Sequence, residues 1–432
     1  MSAEVVRAQV LHTPRDPFTE ADALEAFSDG ALAHEDGHIL AVGGFDEVRE
    51  RHPNLAVRDE RDALLLPGLV DTHVHFPQHG IVGAMGLELL DWLDQHALPA
   101  EARMADTDLA RRTAREFVQG LCAAGTTTAL VFGSHFPEAQ EALFEEAAAS
   151  GLRIASGLVV SDRNLRPDLE RNPEAAYEAA HALASRWHGT GRLRYAVTPR
   201  FSLSCTDAML EGCGALHGEL GALVTSHVNE SPGEVAAVAD LFDWSRDYLD
   251  TYERFGLVGP DTVLAHNVHA ADQELARLAD ARASVAHCPG SNAFLGSGAL
   301  PLRRHLEHGV RVALGTDVGA GTGLSMFKEG LVAYQVQRLR EDGYALNPAQ
   351  LLHLCTRAGA LALGLGDEVG DLSPGRAADF VLVRPPESST LATVLRQADT
   401  PEHALGAVFS LAREESVAEV RVAGDEIHSR NS

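Results

Sequence analysis

Leu66-Pro67-Gly68-Leu69-Val70-Asp71-Thr72-His73-Val74-His75 is an apolar run that ends in two histidines spaced two apart. In a β-strand, alternate side chains share a face. His73 and His75 therefore leave the C-terminal end of a buried strand on one side. Two imidazoles on one rigid face supply the first two ligands of a zinc or iron site. Two buried, hydrogen-bonded histidines are the plainer alternative.

Outward from this stretch, short apolar, β-branched runs recur at residues 126–132, 153–160, 193–200, 222–228, 262–267, 283–289 and 310–317. With 64–75 they make eight. Segments rich in Ala, Leu, Glu and Arg, with helical spacing, lie between them, as at 106–124 and 137–150. Eight strands alternating with helices predict an α/β fold, a (β/α)8 TIM-type barrel, whose active residues gather at the C-terminal strand ends. Those ends carry His73, His75, Arg200, His227, His266, His287 and Asp317. The chain ends read differently, with short strands at 5–11, 30–42, 379–383 and 418–422 and Glu35-Asp36-Gly37 as a turn. They predict a small β-sandwich domain built from residues 1–66 and 366–432 around a barrel of residues 67–365.

The 432 residues, 45% of them hydrophobic, suffice for such a barrel and its companion. A net charge of -27 repels phosphate backbones, so nucleic acid is not an expected partner; a small neutral or cationic substrate fits better. No apolar run reaches the ~20 residues of a membrane span. No basic start followed by a long apolar core marks a secretion signal. Five scattered cysteines suggest reduced thiols in a cytoplasmic protein.

Ser226-His227-Val228-Asn229-Glu230 closes the fifth run. His227 offers a third metal ligand, and Glu230, three residues on, can reach a substrate without binding the metal; a solvated loop carboxylate is the alternative. Asp317 closes the eighth run, and a lone buried carboxylate there needs a partner, which a metal supplies. A helix N-cap would be the other use. His266 either ligates the metal or hydrogen-bonds its water, and the second suits a set already holding three nitrogens and one oxygen. His287 is expected to support the site from behind the ligands. His269 is given no role. Lys328 is the only lysine, and none lies between His75 and Asp317. Two-metal barrels of this kind use a bridging carboxylated lysine, so one metal is expected. His217-Gly218-Glu219 and His305-Leu306-Glu307 match half of a nucleic-acid deaminase signature, but no C-x-x-C completes it.

The order of these ligands resembles the amidohydrolase superfamily and, more narrowly, the guanine deaminase family. The segments that carry the resemblance are Pro67 to His75 with Gln78 three residues on, Thr198-Pro199-Arg200-Phe201-Ser202-Leu203-Ser204-Cys205, the His227/Glu230 pair, Ala286-His287-Cys288-Pro289, and Gly315-Thr316-Asp317-Val318. The similarity runs from about Leu66 to Gly375; Gly290 departs from the Asn or Thr expected there. The resemblance implies a zinc ion held by His73, His75, His227 and Asp317, with Gln78, Arg200 and Phe201 on the purine. It implies Glu230 as proton shuttle, Asp317 and His266 orienting a zinc-activated water, conversion of guanine to xanthine and ammonia, and a homodimer. Arg200, a permanent donor, suits the C6 carbonyl; Gln78, donor and acceptor, suits ring nitrogens; Phe201 offers an apolar face, or packs in the core.

Three rival readings remain. One is a related deaminase of cytosine, a pterin, an oxidised purine or a triazine. Another is a cyclic-amide hydrolase, and the last is a non-catalytic barrel. Residues 240–256, with Trp244, Tyr248, Tyr252 and Phe255, read equally as a lid or as an amphipathic helix.

Overall fold

The computed structural model describes residues 3–430. Its larger layer is a barrel of parallel strands: Leu69–His75, Thr126–Phe132, Arg153–Gly157 continued by Val159–Val160, Leu193–Pro199, Leu223–Val228, Thr262–His266, Ser284–His287 and Arg311–Leu314. They are hydrogen-bonded in that order. The last strand returns to the first through its extension. Asp317 N donates to His73 O and His75 N to Val318 O, each at 2.8 Å, and Thr72 Oγ1 donates to Leu314 O. Every residue of the first, second and fifth strands is buried, as parallel strands covered on both faces require.

The connecting helices start and stop where their chemistry says they should. Asp106 caps Thr107–Ala123 by accepting from Asp108 N and Leu109 N. That helix buries Ala110, Ala114, Phe117, Val118 and Leu121 along one stripe. Pro137 opens Pro137–Ser150, and Gly151 ends it with φ 80°.

The small β domain is a seven-stranded mixed sheet. In spatial order its strands are Asp425–Ser429, Val417–Val422, Phe380–Val383, Ala56–Pro67, Glu4–His12, Glu25–Glu35 and His38–Gly44. Ala56–Pro67 runs parallel to Glu4–His12, and the other pairs are antiparallel. Strand alternation puts Val6, Ala8, Val10 and Leu32 in one apolar cluster and Val5, Ala31, Ala33 and Ala41 in another.

One expectation needs correcting. Residues 64–75 read as a single strand, but the structure divides them. Leu64 to Pro67 pair with Val383 to Phe380 in the sheet, whereas Leu69–His75 opens the barrel. The chain changes sheets at Gly68, whose N–H donates to Asp379 O. A Cβ there would lie 2.2 Å from Thr127 Oγ1, so only glycine lets the two layers approach this closely.

Among the described residues no helix is long and apolar enough to cross a membrane. All five cysteines are buried and unpaired.

Candidate metal centre and active site

The period of two in Leu69–His75 sends His73 and His75 to one face, and their Nε2 atoms lie 3.1 Å apart. His227, from the fifth strand end, places its Nε2 3.3 Å from that of His75. Asp317 Oδ1 completes the group at 3.3 Å from His73 Nε2 and 3.2 Å from His75 Nε2. All four side chains are buried. Donors about 2.1 Å from one tetrahedral centre sit about 3.4 Å apart, so these edges suit a zinc-sized ion. The tautomer suits one too. His227 Nδ1 lies 2.6 Å from Arg200 O, and donating its proton there leaves Nε2 with a lone pair.

Burial holds the imidazoles neutral, pushing His75 down to about 4 and His227 well below the ordinary histidine range. Burial alone would raise the Asp317 carboxyl, but hydrogen bonds from His73 and His75 hold it well below the usual carboxylate range. Neutral imidazoles beside an ionised carboxylate are the donor state a divalent cation needs.

Strand ends do not deliver all these groups by regular geometry. Asn229, His266, Asn267 and Asp317 have φ of 50°, 71°, 52° and 49°, the left-handed region. Such residues cost about 1–3 kcal/mol each and cluster at functional sites. The turn brings His266 Nε2 to 3.4 Å from Glu230 Oε2 and 3.8 Å from Asp317 Oδ2. Asn292 Oδ1 accepts from His266 Nδ1 at 2.9 Å and fixes the ring. His266 thus lies between Asp317 and Glu230, and with His73 and Asp317 it forms a second group that could hold an ion. Burial, then the Glu234 and Asp317 carboxylates, push the Glu230 carboxyl well above its ordinary range.

The cluster opens into a narrow cavity. Gln78, Arg200, Phe201, Glu230 and His266 line it, with Leu89, Trp92 and Leu93. The structure therefore brings together every side chain singled out from the sequence for metal, catalysis or substrate.

A family profile described as "Amidohydrolase family" matches residues 64–427. The chain belongs to the amidohydrolase family. A second, short match at residues 30–54 is to an "Imidazolonepropionase-like composite domain, bacteria". A probable guanine deaminase of Deinococcus radiodurans is 54% identical over 99% of each chain. A guanine deaminase of Escherichia coli is 39% identical over 87% of this chain and 86% of its own. Among solved structures, E. coli guanine deaminase superposes with TM-score 0.95 at 36% identity, over 99% of this chain and all of its own. Guanine deaminase from C. acetobutylicum, with guanine bound in its active site, gives 0.92 at 26% identity over 99% and 100%.

In this amidohydrolase the site also contains groups that the sequence reading passed over. Glu101, on the short helix Leu98–Ala102, contacts Gln78, Arg200 and His135. Nothing in its local sequence marks it. His135, three residues past the second strand, could have been suspected from that position alone. Asp71 lies inside the quoted opening stretch. It accepts from His73 N, Thr316 N and Thr316 Oγ1, tying the first strand to the approach to Asp317. Phe132 packs 4.6 Å from the rings of both His75 and His227.

Two expectations change. His287 is buried, neither ring nitrogen has a hydrogen-bond partner among the described residues, and it is outside the cluster; its support is through the backbone, where its carbonyl accepts from Gly315 N at 3.0 Å. Residues 240–256 are neither an open lid nor one amphipathic helix; within them only Asp250–Glu253 is α-helical apart from the end of Pro232–Leu241. Tyr252 is buried and donates to His227 O at 2.7 Å, with Ser202 N and Ser226 Oγ also on its hydroxyl. The segment braces the fifth strand, and the cover over the cavity comes instead from Leu89, Trp92 and Leu93.

Proposed function

We propose that this chain hydrolyses guanine at C2 to xanthine and ammonia, in purine catabolism or salvage. The observation that carries this reading is the wall of Gln78, Arg200 and Phe201 beside a three-histidine, one-aspartate cluster. It occurs in a chain 54% identical, along nearly its whole length, to a probable guanine deaminase. The bound guanine in the C. acetobutylicum structure supports the same substrate.

In this reading His73, His75, His227 and Asp317 hold one zinc ion per chain; iron(II) would suit the same donors. Lys328, the only lysine, donates to Thr322 O from the helix Met326–Leu339 and bridges nothing, which favours a single ion. When bound, the ion supplies the Lewis acidity that lowers the pKa of its water to about 7. Arg200 donates to the C6 carbonyl, Gln78 meets ring nitrogens, and Phe201 packs on the base. Glu230, kept protonated by burial, delivers its proton to the ring nitrogen next to C2 as water adds. Asp317 accepts the water proton, and His266 helps orient that water. Glu230 or Asp317 then passes a proton to the C2 amino group; the C2–N bond breaks, ammonia leaves, and the C2 hydroxyl gives up its proton to the carboxylate as the carbonyl of xanthine forms. Leu89, Trp92 and Leu93 keep bulk water from the reacting centre. All these residues lie in the barrel, taken as residues 67–365. The proposal extends to a cytoplasmic homodimer, a compartment that suits five unpaired buried thiols.

Guanine turnover by the zinc-loaded chain, read by absorbance and ammonia release, tests the reading. Glu230→Gln should retain zinc while turnover falls by about 100-fold or more. A wild-type chain holding zinc but silent on guanine would discard the substrate. A fully active Glu230→Gln would remove Glu230 from proton transfer.

A further inference from the structure

Gln78 and Arg200, which face the substrate in the reading above, do not stand alone. Both are bound from behind by one carboxylate that takes no part in the chemistry. Glu101 Oε1 accepts from Gln78 Nε2 at 2.7 Å and from Arg200 Nη2 at 2.9 Å. Its Oε2 lies 3.4 Å from Arg200 Nε and 3.1 Å from His135 Nε2. All four side chains are no more than 4% exposed. Gln78 Oε1 in turn accepts from Gly319 N at 3.2 Å, so both ends of its amide are fixed.

The donor inventory shows what remains for a ligand. Arg200 has five N–H groups; two face Glu101, leaving both hydrogens of Nη1 and one of Nη2. Gln78 keeps one amide hydrogen and one lone pair. Fork and amide are thus oriented together before any ligand arrives. Glu101 also cancels the charge of Arg200. A buried, uncompensated guanidinium is costly, and beside a metal cation it would draw anions into the pocket. Guanine is neutral, and its C6 oxygen needs a donor but no net charge.

We propose that Glu101 is a positioning and specificity-determining residue: it sets Arg200 and Gln78 as one unit and neutralises Arg200, so that the pocket favours neutral 6-oxopurines over anionic ones. The proposal rests on the purine reading of the site. It assigns substrate discrimination to a residue that acts through Arg200 and Gln78 and does not line the cavity itself.

The test uses the zinc-loaded full chain and two competitive probes near neutral pH, hypoxanthine (neutral) and urate (anionic). Glu101→Gln should weaken hypoxanthine and shift the urate-to-hypoxanthine preference toward urate by about ten-fold or more, the scale of a charge pair in a desolvated pocket. Its kcat/KM for guanine should fall further than its kcat. Glu101→Asp keeps the charge but not the reach, so KM should rise while the wild-type preference persists. Arg200→Gln leaves Glu101 uncancelled and should shift the preference away from urate. The double variant Glu101→Gln/Arg200→Gln removes both buried charges and should return the preference to near the wild-type value, whereas a Glu101 with no electrostatic role would leave it displaced from urate as in Arg200→Gln. This comparison decides the matter even if Glu101→Gln alone does not fold. A merely structural role would weaken both probes alike in Glu101→Gln and leave its preference at the wild-type value, which would overturn the proposal. Guanine turnover with an unmoved preference sinks this proposal alone; a wild-type chain silent on guanine removes the purine reading, and this proposal with it.

Discussion

Glu329 shows at the scale of one residue how burial writes a pH dependence into the molecule. It is fully buried on the helix Met326–Leu339, and one oxygen accepts from Gly290 N at 2.9 Å. A Cβ on Gly290 would lie 2.5 Å from the other oxygen. Glu329 thus fills the space that the Asn or Thr expected there would need. Burial pushes its carboxyl up to about 8 from an ordinary 4.5. A carboxyl raised in the folded state contributes its full stabilisation below the unfolded value and loses it as pH rises through the folded one. Wild-type stability from this group should therefore decline between about 4.5 and 8. Glu329→Gln cannot ionise, so its stability relative to wild type should rise with pH across that window, by at most about 1.4 kcal/mol per unit. Urea unfolding of both proteins at the two ends of the window measures it; a difference that ignores pH would show that Glu329 is ionised throughout. The same physics explains what was legible residue by residue. His73, His75, His227, His266 and Asp317 announce themselves as polar groups closing apolar runs. Glu101 does not, because its meaning lies in Arg200, ninety-nine positions away.

At the scale of elements, the eight barrel strands were readable because each is a short apolar run bounded by turn residues and alternating with amphipathic helices. The domain boundary read at 66/67 falls beside the change of sheet, but the break of the run 64–75 into two strands was not readable, because Leu64-Leu65-Leu66 and Leu69-Val70 are equally apolar on either side of it. Packing decides it, through the contact between Gly68 and Thr127. Gly68→Ala should cost about 1–3 kcal/mol by overpacking, seen as a lower urea midpoint with unchanged slope. An unchanged midpoint would mean that Thr127 yields without strain. The cover of the cavity was hidden for another reason. Residues 89–102 form one helical stretch whose middle, Leu93–Ala97, is π-wound and so breaks the 3.6-residue period, and Leu89, Trp92 and Leu93 serve the pocket instead of a common core.

At the scale of the whole molecule, the proposed metal ligands His73, His75, His227 and Asp317 draw on the first, fifth and eighth strand regions, so occupancy of the site should couple to stability around the barrel. An ion that binds the folded chain and not the unfolded one stabilises it by mass action. Chelation of the zinc-loaded protein should lower the Tm and abolish guanine turnover, and added zinc should restore both. A Tm indifferent to metal removal would show that the ligand strands hold their places without help from the ion. The sheet is tied to the barrel by Arg153 Nε, which donates to the buried Asp379 carboxylate at 2.8 Å, and by Gly68 N on Asp379 O. Sequence by itself determined the strand and helix order and the polar residues that close most of the barrel strands, His73, His75, Arg200, His227, His266, His287 and Asp317, because the periods of 2 and 3.6 and the strand-end rule are local properties of the chain. Only the tertiary structure decided that Glu101 sits behind Arg200 and Gln78, that Tyr252 braces His227, and that the run 64–75 breaks into two strands at Gly68. Those outcomes depend on which distant surfaces close-pack, and a buried carboxylate takes its partner from the path of the chain in space.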